Sequence, residues 1–369
     1  MSSKPYILFE SYPDFSGSSL ELYHELIKRG YDTKYDLVWA VDKSTPADTR
    51  YHTVPFFHMA NSEQSRILGN TAIIIDSNRY INKQSNNYRL HVRHGCSFKA
   101  CLSYYSRIGT VDAILTTSDE MLRVDQQVWP SHLKNKFIIT GLPSNDALFE
   151  PIDLYGTGLI QSLTGTTNKY KKIIGWLPTY RQHRHGAANL PKGHIFPFGL
   201  PTINSIEDYL MLNKILHDTN TLILVQMHHA QAANFHKLPI VSNIKFINEE
   251  NKKKYSLTTQ NLMAGFDALI TDYSAAYHEY IILNRPICLT VDDLLEYNDA
   301  VGFCYNYLDW IKGEYALKKE HLFMFISHLI NNLDVSIDIR TQSLHKIHKY
   351  IDNNSTNRVI DYLIRSKVL

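Results

Sequence analysis

The apolar residues of this chain occur in short runs that alternate with polar turns and with segments of helical spacing. Short apolar runs bounded by turn-forming residues are typical of buried strands. We predict strands at residues 6–10, 37–41, 73–75, 88–92, 113–115, 137–139, 173–177, 222–225, 245–247, 268–270 and 287–289. Their alternation with helix-like segments predicts an α/β fold with parallel sheets and helices on both faces.

Helical spacing predicts helices over residues 20–30, from residue 97, over 206–217, from 275, and through most of 320–369. Residues 182–203 are rich in His, Gly and Pro and are predicted to form a long surface loop. The segment 249–254 is predicted to be a charged loop. Pro143 and Pro151 bracket the expected passage between two domains.

The most informative turn lies in residues 266–286. A buried strand ends at Ile270, polar residues Asp272-Tyr273-Ser274 follow, and a helix is expected from Ala275. Ser274 is a predicted N-cap, because its hydroxyl can accept from free backbone N–H groups. A helix N-terminus directly after a parallel strand favours an anion, commonly a phosphate. An ordinary capped helix is the alternative interpretation.

Polar or catalytic-type residues recur just after the carboxyl ends of the predicted strands. They are His94, Gly141, Arg181, His228, Ser274 and Asp293. Open parallel sheets bind ligands at this edge. We therefore expect two sheets that face each other across a cleft and bring these residues together.

The composition of the chain gives no indication of a nucleic-acid-binding protein, a metalloprotein or a membrane-spanning protein. A length of 369 residues suggests two domains, and 44% apolar with 20% charged residues is typical of a globular protein. The net charge of +2 gives no signal for binding nucleic acid. The four cysteines and scattered histidines form no metal-ligand pattern, so we expect neither a metal nor a cofactor. Because no signal peptide or membrane-spanning run is visible, we expect a cytoplasmic protein.

Several short motifs occur in a fixed order over residues 6–303. They are Glu10-Ser11, Phe15-Ser16-Gly17, His94-Gly95 with Lys99, Gly141 and Pro143 with Asp146, Pro178-Thr179-Tyr180-Arg181, His228, Thr271-Asp272-Tyr273-Ser274, Arg285-Pro286, and Asp293 with Tyr297. In this order they resemble the CDP-glycerol glycerophosphotransferase family, which includes teichoic-acid polymerases and primases. Ser144, Gln226, His229 and Ala275 depart from the family pattern and suggest a divergent branch.

The resemblance implies a GT-B fold, which consists of two Rossmann-like domains with the active site between them. Residues 1–150 would form an acceptor domain and 151–340 a CDP-donor domain, with a C-terminal helix in 341–369 packing back on the first. The implied reaction transfers glycerol phosphate from CDP-glycerol to a hydroxyl group and releases CMP. CDP-ribitol as donor, a GT-B nucleotide-sugar glycosyltransferase or epimerase, and a non-catalytic polymer-binding homologue are the alternatives.

The resemblance also implies roles for individual residues. His94 would be the catalytic base, and His228 would stabilise the pyrophosphate. The expected donor-binding residues are Gly95, Pro143, Arg181, Asp272, Ser274, Ala275, Ala276 and Asp293, and the expected acceptor-binding residues are Glu10, Asp14 and Lys99. Each of four residues also has a structural interpretation. His94 could cap a helix or be an ordinary loop residue, and Arg181 could be a surface residue. His228 could be a core residue, and Asp272 could be a turn acceptor.

The acceptor implied by the resemblance is a polymer or glycan carried on a membrane lipid. Basic residues that could contact anionic lipid headgroups are Lys171, Lys172, Lys252, Lys253, Lys254, Lys346, Lys349, Arg365 and Lys367. This predicts peripheral contact with the inner face of the cytoplasmic membrane. Ordinary solvated charges are the alternative interpretation.

Overall fold

A computed structural model describes residues 4–42, 54–58, 64–78, 81, 83–84, 86–100, 105–150, 152–179, 196–226 and 238–369. The chain forms two compact units. Unit 1 comprises Met1–Ser97, Cys101–Phe149 and Lys346–Leu369, and unit 2 comprises Phe98–Ala100 and Glu150–His345. Each unit has its own parallel sheet, which confirms the predicted α/β class.

The described strands are β1 (Tyr6–Glu10), β2 (Asp36–Val41), β3 (Phe56–His58), β4 (Thr71–Asp76), β5 (Tyr88–His91), β6 (Ala113–Thr116), β7 (Phe137–Ile139), β8 (Lys172–Leu177), β9 (Thr221–Gln226), β10 (Ile244–Ile247), β11 (Ala268–Thr271), β12 (Ile287–Thr290) and β13 (Glu314–Ala316). The described helices are α1 (Gly17–Lys28), α2 (Gln64–Gly69), α3 (Asp119–Val128), α4 (Leu159–Thr164), α5 (Ile206–Asp218), α6 (Glu249–Lys254), α7 (Thr259–Ala264), α8 (Ala276–Tyr280), α9 (Leu294–Ala300), α10 (Tyr307–Trp310), α11 (Lys319–Ile330), α12 (Ile337–Ile347) and α13 (Ser355–Arg365).

The sheet of unit 1 has the strand order β3-β2-β1-β4-β5-β6-β7, with every neighbouring pair parallel. The connection reverses direction between β1 and β4, which is the point where open α/β sheets bind ligands. Successive residues of β1 face opposite sides of the sheet. Ile7 and Phe9 pack with α1 and α13, whereas Leu8 packs in the core on the α2 side.

The last helix, α13, completes unit 1. Its residues Val359, Ile360 and Leu363 are buried in the same core as β1 and α1. The Asp146 carboxylate accepts the backbone N–H groups of Ser355 (2.9 Å) and Thr356 (2.8 Å) at the start of α13. The core and the hydrogen bonds therefore fix the first turn and the buried face of this helix.

The sheet of unit 2 has the order β10-β9-β8-β11-β12-β13, again with all pairs parallel. Its direction reverses between β8 and β11. The core on one face is formed by strand residues such as Trp176 and Ile270 together with Leu212 of α5 and Phe325 of α11. Both units thus have the Rossmann-like strand arrangement that the resemblance implies.

Two local predictions were wrong, and one predicted helix was found with a different start and length. The charged segment 249–254 forms α6, because Asn248 and Asn251 make reciprocal capping hydrogen bonds at its start. Residues 98–100 are not helical, and Lys99 instead forms an antiparallel bridge with Phe303. The helix expected from Ala275 begins at Ala276 and is short, since the chain changes to a 3₁₀ segment over Ile281–Leu283.

Candidate functional site

Glu10 lies at the reversal point of the unit 1 sheet, directly at the end of β1, and is fully buried. Its Oε2 accepts the backbone N–H groups of Ser77 and Asn78, both at 3.1 Å, in the turn after β4. The carboxylate therefore ties together the two strand ends that flank the reversal point.

Asp14, the second predicted acceptor residue on this loop, is half-buried. Both of its carboxylate oxygens accept the backbone N–H of Asp42 after β2, at 3.2 and 3.1 Å. Its visible contacts, like those of Glu10, hold backbone at the carboxyl edge of the sheet.

His94 is exposed on a sharp turn that follows β5. The turn has an unusual backbone: Arg93 adopts a φ of 62° and Gly95 a φ of 154°. A left-handed conformation is uncommon for a residue with a side chain, and the region occupied by Gly95 strongly favours glycine. Arg93 therefore has a conformation that surrounding contacts must stabilise, whereas Gly95 adopts its conformation readily because it has no side chain.

Those contacts come from residues that the sequence analysis did not identify. Arg93 and Ser97, on either side of the turn, both bind the fully buried carboxylate of Asp125 in α3. Asp125 is far along the chain from the turn and occupies an otherwise ordinary helix, so the sequence pattern gives no signal for this interaction.

A second buried charged group lies at the ends of β4 and β5. The Asp76 carboxylate accepts from Arg89 Nε at 2.7 Å and lies 2.8 Å from His91 Nδ1. Burial lowers the pKa of His91, so its imidazole is neutral at neutral pH and Nδ1–H donates to Asp76. His91 therefore belongs to the sheet interior, three residues before the exposed His94.

In unit 2, Asp272 performs the role that Glu10 has in unit 1. It is fully buried, and its carboxylate accepts the backbone N–H of Thr179 after β8 at 2.9 and 3.1 Å. It also accepts the N–H of Tyr273 at 2.6 Å. Of the two interpretations of Asp272, these contacts favour the turn acceptor.

Asp293 and the two tyrosines of the motifs support one another. Asp293 is buried, and its Oδ1 accepts from the Tyr273 hydroxyl at 2.8 Å. The Tyr273 ring stacks on Tyr297 with a centroid separation of 4.1 Å. Motif residues far apart in sequence thus form a rigid aromatic layer beneath the turn that carries Ser274.

Ser274 and Ala275 are half-buried at this turn, and Ala276 is buried. The Ser274 Oγ accepts the N–H of Ala276 at 3.2 Å, but the N-cap position of α8 is Ala275 and not Ser274 as predicted. The N–H of Ala276 is therefore used within the turn in this conformation. The predicted hydrogen-bond donors to phosphate in the described part of unit 2 include the Ser274 hydroxyl and the Ala275 backbone N–H. Both belong to half-buried residues, whereas Ala276 is buried.

Lys99 lies with unit 2. Its backbone carbonyl accepts from Cys304 Sγ at 3.2 Å, and its ammonium group lies 5.7 Å from the centre of the Tyr297 ring. A cation over an aromatic face is held electrostatically. Lys99 is thus associated with the same aromatic layer as Asp293.

The motif around Gly141 is buried in unit 1. Pro143 begins a 3₁₀ segment over Pro143–Phe149 and is itself buried. A Cβ atom on Gly141, whose φ is 78°, would lie 2.5 Å from Ser355 Oγ. Gly141 and Asp146 therefore hold α13 against the core, and Pro143 lies between them.

Glu279 of α8 is a further buried group that the sequence analysis did not identify. Its Oε2 accepts from Gln260 Nε2 at 2.9 Å, and burial raises the pKa of Glu279 to about 7.

Lys252 is also buried, pairs with Glu249 at 2.7 Å and donates to Thr259 Oγ1 at 3.0 Å. The inclusion of Lys252 among the surface basic residues was therefore wrong.

Arg181, His228 and His229 lie outside the described residues, as does most of the predicted loop 182–203. Within the described ranges no group of three or more His, Cys, Asp or Glu side chains has the arrangement of a metal site. The same residues include no helix that is both long and apolar enough to cross a bilayer.

Comparison with known proteins identifies the relatives of this chain. A family model described as CDP-Glycerol:Poly(glycerophosphate) glycerophosphotransferase matches residues 2–365. The teichoic acid ribitol-phosphate polymerase TarK of Staphylococcus aureus (strain NCTC 8325 / PS 47) is 25% identical over 233 residues, which are 61% of this chain and 40% of TarK. The teichoic acid glycerol-phosphate primase of Bacillus subtilis (strain 168) is 23% identical over 253 residues, covering 68% of this chain and 57% of the primase.

A solved structure of the wall teichoic acid polymerase TagF superimposes on this chain with a TM-score of 0.74 at 19% identity, covering 98% of this chain and 88% of that one. At this identity the likeness concerns the fold, and it confirms the expected GT-B type. TarK and the Bacillus subtilis primase are longer proteins, and the matched part of this chain spans 40% of the length of TarK and 57% of the length of the primase.

Proposed function

Because the chain belongs to the CDP-Glycerol:Poly(glycerophosphate) glycerophosphotransferase family, we propose that it transfers a polyol phosphate from a CDP-alcohol to a hydroxyl group and releases CMP. Glycerol phosphate is the first candidate for the transferred group and ribitol phosphate the second. The acceptor is a cell-surface polymer or a lipid-linked glycan. The observation that carries the proposal is the family match over residues 2–365.

In the proposed reaction the acceptor oxygen attacks the β-phosphorus of the CDP-alcohol. A new P–O bond forms, the bond between this phosphorus and the oxygen bridging to CMP breaks, and CMP leaves with the bonding electrons. The proton of the acceptor hydroxyl passes to the imidazole of His94. A neutral imidazole suits this task because its ordinary pKa lies near ~6.5. The exposed position of His94 on a constrained turn supports this role.

Stabilisation of the leaving CMP requires positive charge and hydrogen-bond donors near the pyrophosphate. We assign this role to Arg181, His228, the Ser274 hydroxyl and the Ala275 backbone, with Gly95 allowing a phosphate to approach the backbone. We assign Lys99 to acceptor binding, where its ammonium group would supply a positive charge.

The remaining residues of the predicted site have contacts that suit positioning. Glu10, Asp14, Asp272 and Asp293 hold backbone turns and a tyrosine hydroxyl through their carboxylates. Pro143 and Ala276 are buried. We propose that these six residues shape the site.

Purified protein with CDP-glycerol, CDP-ribitol or a UDP-sugar, each with and without acceptor, tests the proposal. We expect acceptor-dependent CMP release from one of the two CDP-alcohols and a product whose mass increases by the corresponding polyol phosphate. Release of UDP would favour the nucleotide-sugar alternative. Binding of a CDP-alcohol without CMP release under any condition would favour a non-catalytic homologue, which the departures at Ser144, Gln226 and Ala275 motivate.

Membrane contact is the second part of the proposal. Lys171, Lys349, Arg365 and Lys367 are exposed, although Lys349 pairs with Asp119 at 3.0 Å. We propose that the exposed cations bring the protein to the anionic inner face of the cytoplasmic membrane, where a lipid-linked acceptor lies. Flotation with vesicles of phosphatidylserine and phosphatidylcholine should recover the protein at low salt and release it at high salt, because salt screens the attraction between cations and anionic headgroups. Absence of the protein from the vesicle fraction at low salt would contradict the proposed membrane contact.

A further inference from the structure

The turn that carries His94 is anchored at both ends to one buried carboxylate. Arg93, which precedes His94, donates from Nη1 to Asp125 Oδ2 at 2.9 Å. Ser97, which follows the turn, donates from Oγ to Asp125 Oδ1 at 2.6 Å. The three residues between these anchors, 94–96, are thereby fixed at both ends by one side chain of α3.

The two anchors also contact each other. Arg93 Nη2 donates to Ser97 Oγ at 2.8 Å, and the indole N–H of Trp129 donates to the same oxygen at 3.0 Å. The guanidinium carbon lies 5.3 Å from the centre of the Trp129 ring. Every polar partner in this group is buried, so its hydrogen bonds are not exchanged for water.

Asp125 is in turn held from the sheet. Thr116 Oγ1, at the end of β6, donates to Asp125 Oδ2 at 2.6 Å. Thr116 is separated from His94 along the chain and is not part of the turn. The carboxylate therefore connects three elements: the turn after β5, the carboxyl end of β6 and helix α3.

The backbone gives a second, independent reason for such an anchor. Arg93 has a left-handed φ of 62° even though it carries a long side chain. Conformations of this kind persist where the surrounding structure imposes them, and they cluster at functional sites. The buried guanidinium of Arg93 supplies that constraint, one residue before the exposed His94.

We infer that Asp125 is a positioning residue that, through Arg93, Ser97 and Thr116, holds the imidazole of His94 in the direction needed to accept the proton of the acceptor hydroxyl. This inference rests on the proposed function for its catalytic consequence. Its structural part, that Asp125 determines the orientation of His94, holds whatever the substrate is.

Thr116 offers the sharpest test because it lies outside the turn and its hydroxyl donates to Asp125. Thr116→Val removes the hydroxyl at nearly constant shape, whereas Thr116→Ser keeps the hydroxyl and removes a methyl group. The matched control is Thr71→Val, which removes an equally buried hydroxyl at the start of β4, a strand separated from β6 by β5 in the same sheet. The Thr71 hydroxyl donates to Ile67 O.

Two measurements are made on each full-length variant. The first is the Cε1–H resonance of His94 in protein labelled at histidine Cε1, assigned by its loss in His94→Gln. The second is kcat and KM for CMP release. We expect Thr116→Val to shift or broaden the His94 resonance and lower kcat about tenfold with KM for the CDP-alcohol unchanged, since small misplacements of a catalytic group act on the chemical step. Thr116→Ser should retain the wild-type His94 resonance and the wild-type kcat.

Ser97→Ala is the second variant and should act in the same direction as Thr116→Val. A His94 resonance and a kcat equal to wild type in both variants would overturn the inference, as would equal effects from Thr71→Val. A shifted resonance with unchanged kcat would overturn the catalytic consequence. If the wild type releases no CMP from any donor, the proposed function fails, and the His94 resonance alone then decides whether Asp125 orients the ring.

Discussion

Asp146 and Ser355 are 209 positions apart in the chain, and the Oδ1 atom of Asp146 accepts the backbone N–H of Ser355 at 2.9 Å. The other carboxylate oxygen accepts the N–H of Thr356 at 2.8 Å. These N–H groups belong to the first turn of α13, where a helix has no intrahelical partners for its donors. A carboxylate from the 3₁₀ segment Pro143–Phe149 thus performs the capping role that the residue before a helix usually has.

Asp146→Ala should therefore loosen α13 from unit 1. We expect a loss of about 1–2 kcal/mol, the usual value of a helix cap. Hydrogen exchange of peptides covering Ser355–Arg365 would measure it as faster exchange in the first turn. Asp361→Ala is the control, because Asp361 lies on the same helix and makes an exposed ion pair with Arg29 at 3.3 Å. Equal exchange in the two variants would contradict the assignment of Asp146 as a cap.

Gly141→Ala should destabilise the same contact by a steric route. The added Cβ would lie 2.5 Å from Ser355 Oγ, and the φ of 78° disfavours a side chain. Gly17→Ala is a matched control, since Gly17 has a φ of 59° but no atom within 4 Å of the added Cβ. We expect Gly141→Ala to cost about 1–3 kcal/mol more than Gly17→Ala in denaturant unfolding. Equal costs would show that only the backbone conformation matters at Gly141.

Glu279 should make the stability of unit 2 depend on pH. Its pKa is raised by burial to about 7, above the value of 4.5 for the unfolded chain, so the folded state binds the proton more tightly. Stability from this group is fully present below pH 4.5 and is lost as the pH rises to about 7. The difference amounts to about 3 kcal/mol at most.

Glu279→Gln removes this dependence while its amide oxygen can still accept from Gln260. The stability of the wild type minus that of Glu279→Gln should therefore fall between pH 4.5 and 7 and level off above pH 7. Urea unfolding at several pH values measures the difference. Glu207→Gln, on the exposed side of α5, is the control and should show no such trend. A pH-independent difference for Glu279→Gln would contradict the burial argument.

His94→Gln should lower kcat for CMP release by about 10²–10⁴-fold if His94 is the general base. Glutamine retains hydrogen-bonding capacity but cannot accept the proton at neutral pH. His132→Gln changes another exposed histidine of unit 1 and should retain wild-type activity. A kcat for His94→Gln within threefold of wild type, a change below about 1 kcal/mol in activation free energy, would assign proton removal to another group.

The sequence predicts the interior strands and the edge strands β7 and β10, but it misses the edge strands β3 and β13. Strands such as β1 and β8 are continuous apolar runs because both faces of a parallel sheet are covered. The edge strands β3 and β13 have three residues each and do not stand out from their surroundings. Helix α6 escaped prediction because its residues 249–254 are all polar and its stability depends on the Asn248–Asn251 cap.

In the candidate site, too, the sequence predicts some residues and misses others. The motif order locates the exposed His94 and the Ser274 turn, whose positions depend on local sequence after a strand. It does not reveal Asp125, because a carboxylate on an ordinary helix becomes informative only when folding brings Arg93, Ser97 and Thr116 to it. Likewise, the spacing of the motifs does not show that Asp146 caps a helix at the other end of the chain.

The location of α13 has a consequence for biosynthesis. Residues Val359, Ile360 and Leu363 fill the core of unit 1, whose sheet is otherwise complete by Ile139. On the ribosome, this core stays open until translation has passed residue 363, by which time all of unit 2 has been made. The nascent first sheet must therefore remain soluble with one hydrophobic face incompletely covered while more than half of the chain is still being synthesised.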